Sequence, residues 1–458
     1  MRVREFKGEV TAYLSLVFIL LVTFIGGMIE SASIQNAKNY QRADMNRAIE
    51  CVFAEYQKEL LERYDIFALD GSYETGRYVE QNLSDRLSYY GAGNMEYNLT
   101  RIQFLTDRGG QAFCDQVRAY EEHKYGIDAM KDMLGMTSVW GQQEAQAKEY
   151  AREEQDSQDY LEEMLAENES ELPETGNPIS CADRLKQSPI LTLVMPKDKT
   201  VSEKRVNGQD MPDRRSKNTG YGEFADVAVQ GGNLSSLLLG EYLLEHFSAF
   251  TDDEHAGTVD YEVEYILGGK DSDRENLEAV VKKIVNLRFV PNYAYIQTDS
   301  EMKAEAEAMA AALCTLLAVP AITEAAVQGI LLAWAYGESL MDLRSLLKGS
   351  KVPLVKSKES WQLQLSKLMT LGTDEDCSEG RDDTGGLSYE EYLRMLLFLA
   401  KKETVALRAL GMIEQNLRMI CGQTYFRADL CISRMEMQST CHLRRGIRYQ
   451  FKTYYGYR

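Results

Sequence analysis

The sequence predicts an α+β fold, mainly helical, in which a long N-terminal transmembrane helix continues into an extracytoplasmic head that ends in a β-hairpin. Three observations carry this. Val10 to Ile29 reads VTAYLSLVFILLVTFIGGMI, an uncharged run of about twenty residues, enough at ~1.5 Å per residue to cross the ~30 Å hydrocarbon core of a bilayer. Beyond it, Ile34, Ala37, Met45, Ala48, Ile49, Val52, Phe53, Tyr56 and Leu60 recur at three- and four-residue steps, and no Gly or Pro interrupts Glu30 to Tyr64. At the far end, Cys431, Ser433, Met435 and Met437 share one face of an alternating run. Ile447, Tyr449, Phe451, Thr453, Tyr455 and Tyr457 share one face of a second, with Arg444-Arg445-Gly446 as the turn between them.

The first element is therefore expected to be one helix from about residue 9 to 64, on the order of 80 Å long, with its first half in lipid and its second half against the head. Arg2, Arg4 and Lys7 precede the apolar run and Glu30 closes it, which keeps the N-terminus cytoplasmic and puts the bulk of the chain outside. A signal peptide cleaved near Ser31-Ala32-Ser33 is the rival. Its apolar region usually runs to about 7–15 residues, and its cleavage site is extended. The longer run and the uninterrupted helical pattern favour an uncleaved, single-pass anchor.

The chain has 458 residues, 44% of them hydrophobic, and a formal net charge of −20. That length holds a large core and more than one domain. That charge repels phosphates and argues against nucleic-acid binding. Eight scattered cysteines never form CxxC, so no structural zinc signature is present, and their pairing stays open. Histidines 123, 246, 255 and 442 are few for metal or triad chemistry.

After residue 64, Met95, Tyr97 and Leu99 predict a strand following the Gly91–Asn94 turn. Helix resumes from Phe113. Glu144 to Glu174 carries twelve acidic residues against Lys148 and Arg152, which predicts a solvated helix or partly disordered arm. Leu172 to Pro178 is the clearest linker, and Pro196 to Gly232 is loop-rich. Leu237 to Phe250 reads as an apolar helix. Val259, Tyr261, Val263 and Tyr265 alternate with acidic residues, which predicts a half-buried strand. Ser272 with Glu275 opens the next helix, whose buried face is Leu277, Val280, Val281, Ile284 and Val285. Ala308–Thr323 and Ala325–Gly337 are uncharged, but each is shorter than a spanning helix, so a buried helical hairpin is expected. Two more helices are predicted, around Trp361–Leu371 and from the Ser388/Glu391 capping box. The expected organisation is 1–64 tail, anchor and amphipathic helix; 65–172 first extracytoplasmic region with the acidic arm; 173–232 loop-rich linker; and 233–458 helical α+β domain.

Motifs for chemistry are incomplete. Gly220-Tyr221-Gly222 is not set between a strand and a helix. In Gly268-Gly269-Lys270, Asp271 replaces the Ser or Thr of a P-loop. Gly337-Glu338-Ser339 lacks the closing Gly of a nucleophile elbow. Asp374 to Gly380 lacks the sixth-position Gly and twelfth-position Glu of an EF-hand. No catalytic, cofactor-binding or metal residue is assigned, and no cofactor is expected.

Lys7-Gly8-Glu9-Val10-Thr11, the apolar run and Ile29-Glu30-Ser31-Ala32 resemble the N-termini of pilin-like proteins of tight-adherence (Tad, Flp) pilus systems. Phe53–Tyr56, Glu62–Asp70, Tyr261–Lys270 and Leu332–Ser339 extend the resemblance to a bacterial family of single-pass proteins that carry a domain of unknown function and are associated with such pili. It implies a membrane-anchored extracytoplasmic structural or accessory component, with no known activity. Cleavage after Gly8 would put Tyr13 at the fifth mature position, where type IV pilins usually carry Glu, so a permanent anchor is expected. The implied partners are membrane lipid through Val10–Ile29, proteins of the pilus or secretion apparatus, and further copies of the chain. An extracytoplasmic binding or sensing module is the alternative. The basic set Arg444, Arg445, Arg448, Lys452 and Arg458 is expected to be the solvated polar face of the hairpin, with docking on an acidic surface, either the Glu144–Glu174 arm or a neighbouring subunit, as the alternative.

Overall fold

The structure is a computed structural model that describes residues 7–167, 172–173, 176–224, 232–383 and 385–457; the side chains of 7, 126–134, 136, 154 and 161 are left aside. Arg2, Arg4, Arg458, the acidic residues Glu169, Glu171 and Glu174, and part of the 196–232 stretch thus lie outside the described residues.

Helix α1 (Lys7–Phe53) is continuous over 47 residues. Its apolar half touches nothing: Val10, Phe18, Phe24 and Ile29 are each more than half exposed. It is the one helix among the described residues that is long and apolar enough to cross a membrane. From Met45 the helix enters the head, where Met45, Ala48, Ile49, Val52 and Phe53 are buried, the stripe expected from the sequence. It does not run to Tyr64. The chain turns after Phe53, Tyr56 bridges to Leu69, and Gln57 N donates to Ala68 O at 2.8 Å before α2 (Lys58–Tyr64) begins. Residues 54–58 are good helix formers, but long-range backbone pairing overrides local propensity.

Next come β1 (Leu69–Asp70), α3 (Glu80–Leu87) and β2 (Glu96–Phe104), the strand expected after the Gly91–Asn94 turn. The helical body follows: α4 (Asp107–Glu167), α5 (Pro178–Gln187), α6 (Ile190–Val194), α7 (Gly232–His246), α8 (Glu262–Gly268), α9 (Asp273–Ile296), α10 (Ser300–Leu317), α11 (Thr323–Leu347), α12 (Leu365–Leu368), α13 (Tyr389–Leu399) and α14 (Lys402–Met419). The chain closes with β3 (Cys431–His442) and β4 (Arg448–Gly456), joined by a turn at Arg444–Gly446.

Strand β3 is the centre of a four-stranded sheet and pairs antiparallel with β1, β2 and β4. A strand has two edges. Strand β2 follows β3 from Ile432 to Thr440, while β1 at Cys431–Ile432 and β4 at Arg434–His442 lie end to end. One face of this sheet covers α1, forming a core of Met45, Ile49, Phe53, Leu83, Leu87, Phe104, Met435, Met437, Phe451 and Tyr457.

Two further local expectations need correction. Val259–Tyr265 is not a strand: the chain is irregular to Tyr261, and α8 then starts at Glu262. Glu262 and Glu264 imitate the polar positions of an alternating strand, yet both are buried, because they accept hydrogen bonds from backbone amides of the Ser248–Phe250 turn. The helix expected around Trp361–Leu371 shrinks to α12, because the Gln362 and Leu363 amides ahead of it donate to the buried Glu338 carboxylate. The acidic arm is helix as far as Glu167 and mostly exposed, the solvated helix that is one of its two expected states, with Tyr150 packed edge-on against Tyr293.

Other expectations hold, the burial of the helical hairpin in part. Helices α10 and α11 form that hairpin and pack together, with Asp299 capping α10 through Glu301 N and Met302 N. The burial expected of both is found in α11, buried almost throughout from Ile330, whereas α10 buries Ala306, Ala310, Leu313 and Cys314 and leaves its other face, Leu316 included, exposed. Ser272 caps α9 by accepting from Glu275 N. Ser388 and Glu391 form a complete capping box on α13.

Candidate functional site

Two helices of the body carry charges where a core is normally apolar. Arg288 and Asn292 lie one turn apart on α9, and Glu338 and Asp342 lie one turn apart on the facing side of α11, so each pair shares a helix face. All four are fully buried. Arg288 Nε donates to Asp342 Oδ2 at 2.9 Å, and its guanidinium also reaches Tyr392 Oη at 3.0 Å and the Pro353 carbonyl at 2.9 Å. Lys356 Nζ donates to Glu338 Oε1 at 2.6 Å and to Asp342 Oδ1 at 2.7 Å. Glu338 also accepts from the backbone amides of Gln362 and Leu363. Burial works against the Asp342 charge, but Arg288 and Lys356 outweigh it and hold this carboxyl below the usual range. Burial pushes Glu338 up to about 7, opposed by Lys356.

The cluster's oxygens are occupied by the chain itself, and its work is to grip residues 353–363 between α11 and α12. That grip places Trp361 beside Tyr295, ring centroids 5.6 Å apart, and edge-on to Trp334 at 6.0 Å. The result is a groove of about 490 Å³ lined by Tyr295, Asp299, Glu301, Glu305, Lys358 and Trp361. Its carboxylates are partly committed: Tyr295 donates to Asp299 Oδ2, and Lys358 pairs with Glu301. Aromatic faces beside carboxylates can hold an amine or guanidinium. Sequence reasoning missed the groove because its residues come from α9, α10, α11 and an irregular strap, with no shared motif.

A second charge network joins the loop-rich stretch to the sheet. Arg215 pairs with Glu414 on α14 and with Asp429 just before β3. Asp429 also accepts from Asn218 N at 2.9 Å, and Arg418 pairs with Asp210 at 2.6 Å. This fastens residues 210–220 against α14.

The sequence motifs resolve into structural roles. Gly220 allows close approach to β2: a Cβ there would stand 2.0 Å from the Ile102 carbonyl, and Tyr221 bridges to Ile102. Gly269 is the left-handed cap of α8, φ 64°. Glu338 and Ser339 sit in mid-helix inside the charge cluster. Asp376, in the 374–380 loop, accepts from Arg344 at 2.6 Å and from Gly372 N, so this carboxylate ties its own loop together. His246 stacks on Tyr242, centroids 4.1 Å apart. The cysteines are free, and no His/Cys/Asp/Glu group among the described residues has the arrangement of a metal site.

Strand β4 lies along α1, with Lys38 over the Tyr449 ring, Arg42 over Phe451, and Phe53 against Tyr455 and Tyr457. Arg445 pairs with Glu30 of α1, and Lys452 with Glu436 at 3.1 Å.

These features define a class: a helical head with a small sheet, carrying one membrane-length apolar helix that projects free of it. Residues 168–443 match the profile of a family of unknown function, DUF5702, and the chain belongs to that family. No curated protein and no solved structure matches it.

Proposed function

We propose that this protein is a membrane-anchored, extracytoplasmic structural or accessory component of a Tad-like pilus or secretion apparatus. The observation that carries the reading is the division of α1. Its apolar half is left wholly uncovered, while the following half is built into the sheet core, so the head is joined to the span by continuous helix. A helix of this kind can sit in lipid or pack beside neighbouring helices, as an assembly subunit requires. The N-terminal resemblance to pilin-like proteins supplies the link to Tad systems, and the basic N-terminal residues supply the orientation.

A cell that builds such a pilus tests this. Deletion of the gene should abolish or shorten the surface fibres, and a chain lacking Val10–Ile29 should fail to restore them. Surface protease on wall-stripped cells should remove nearly all mass beyond Glu30. Normal fibres in the deletion strain would refute the assembly role; full protection of the head would reverse the orientation. The groove at Tyr295 and Trp361 favours a second reading, an anchored binding module for a cationic ligand, which predicts that W361A loses ligand while fibres persist.

A further inference from the structure

We infer that the tip of the C-terminal hairpin, residues 443–448, is a docking surface for anionic phospholipid headgroups of the leaflet from which α1 emerges. The inference rests on the reading of α1 as a membrane anchor. The hairpin and the helix form a splint. Phe53 meets Tyr455 and Tyr457 at one end, Arg42 and Lys38 cover Phe451 and Tyr449 midway, and Arg445 reaches Glu30 at the other. From Phe53 back to Glu30 the helix rises about 35 Å, and the strand from Tyr457 to Ile447 covers about the same length, so the tip arrives level with Glu30. Glu30 is the first charged residue after Val10–Ile29. When that run occupies the hydrocarbon core, the tip stands at the headgroups.

Its chemistry suits that place. Arg444, Arg445 and Arg448 are exposed, and Leu443 and Ile447 beside them are half-buried. The nearby carboxylates are Glu30, held by Arg445, and Glu96, 3.8 Å from His442. A cationic tip on a chain of net charge −20 offsets the repulsion that an acidic head meets at an anionic surface. An acidic protein arm would satisfy the same arginines, but geometric continuity with the apolar span favours lipid.

The full-length chain, reconstituted into phosphatidylcholine vesicles and into vesicles with about a quarter phosphatidylglycerol, tests the inference by flotation and backbone hydrogen exchange. Flotation is expected with both compositions. Exchange at 442–448 is expected to be about threefold slower or more in the anionic vesicles at ~50 mM salt, with the difference lost at ~500 mM. The variant R444Q/R445Q/R448Q should lose the difference while exchange at 451–456 stays as in the parent, showing that the hairpin is intact. Equal exchange in the two compositions, with flotation retained, overturns the docking alone. Failure to float with either overturns the anchor as well. Protection that follows protein density in neutral vesicles assigns the tip to a second copy and overturns the lipid proposal.

Discussion

Asp342 holds two buried cations at once, Arg288 and Lys356. D342N keeps the shape but leaves Arg288 and Lys356 undercompensated in the core, and should cost about 3–5 kcal/mol of stability by denaturant unfolding. D342N/K356M should lose less than the sum of the single variants, because one stranded charge has been removed with its partner. Glu264 behaves differently, since among the described residues it forms no ion pair and its hydrogen-bond donors are neutral. Its Oε1 accepts from Phe250 N and Tyr389 Oη, its Oε2 has no partner, and burial pushes its carboxyl up to about 7. A carboxyl raised on folding holds its proton more tightly in the native state. Its contribution is therefore complete below about pH 4.5 and is lost as pH rises toward 7. E264Q should match the parent near pH 4.5, exceed its stability by about 1–3 kcal/mol at pH 8, and flatten the intervening slope of melting temperature against pH. A variant less stable than the parent at pH 8 would refute this account.

At the scale of elements, the decisive contact is α1 with the terminal hairpin. Phe53 lies under Tyr455 and Tyr457, and the Tyr457 hydroxyl donates to the Phe53 carbonyl. F53A removes the ring on which both tyrosines rest and should cost about 3–5 kcal/mol, with backbone exchange accelerated across 448–457 before the helical body is affected. The α10–α11 hairpin is the contrasting element. Its uncharged runs have membrane-like composition, but α11 is enclosed by α4, α5, α9 and α10. A chain beginning at Ser31 should therefore remain in solution without detergent; partition of that chain into detergent micelles would assign α10–α11 to the bilayer instead.

The whole molecule is closed by its two ends. Met45–Phe53, residues 69–104 and residues 432–457 build one sheet and one core, while Leu60, Tyr64, Ile66 and Ala68 join the intervening chain in the core of the helical body. The matched family region, 168–443, contains β3 but not β1, β2 or β4. Expressed alone, it should expose both edges of β3 and aggregate, whereas the chain from Ser31 should be monomeric or weakly associated by light scattering. A monodisperse, cooperatively melting 168–443 fragment would contradict the closure.

The sequence by itself determined the elements whose pattern is periodic and local. The apolar span, the Met45–Phe53 stripe, the caps at Ser272 and Ser388, and the alternation of the two last strands are properties of neighbouring residues, and each is where the pattern puts it. Tertiary structure decided what depends on distant partners. Helix α1 stops at Phe53 because Gln57 finds Ala68. Glu262 and Glu264 turn inward because a turn ahead of α8 leaves amides to be satisfied. Arg288, Glu338, Asp342 and Lys356 look like ordinary surface charges in the sequence, since burial and mutual compensation are set only when α9, α11 and the 353–363 strap meet. The same holds for the groove at Trp361 and for the level of the hairpin tip: both are positions in space, fixed by packing between segments that carry no trace of one another in the order of residues.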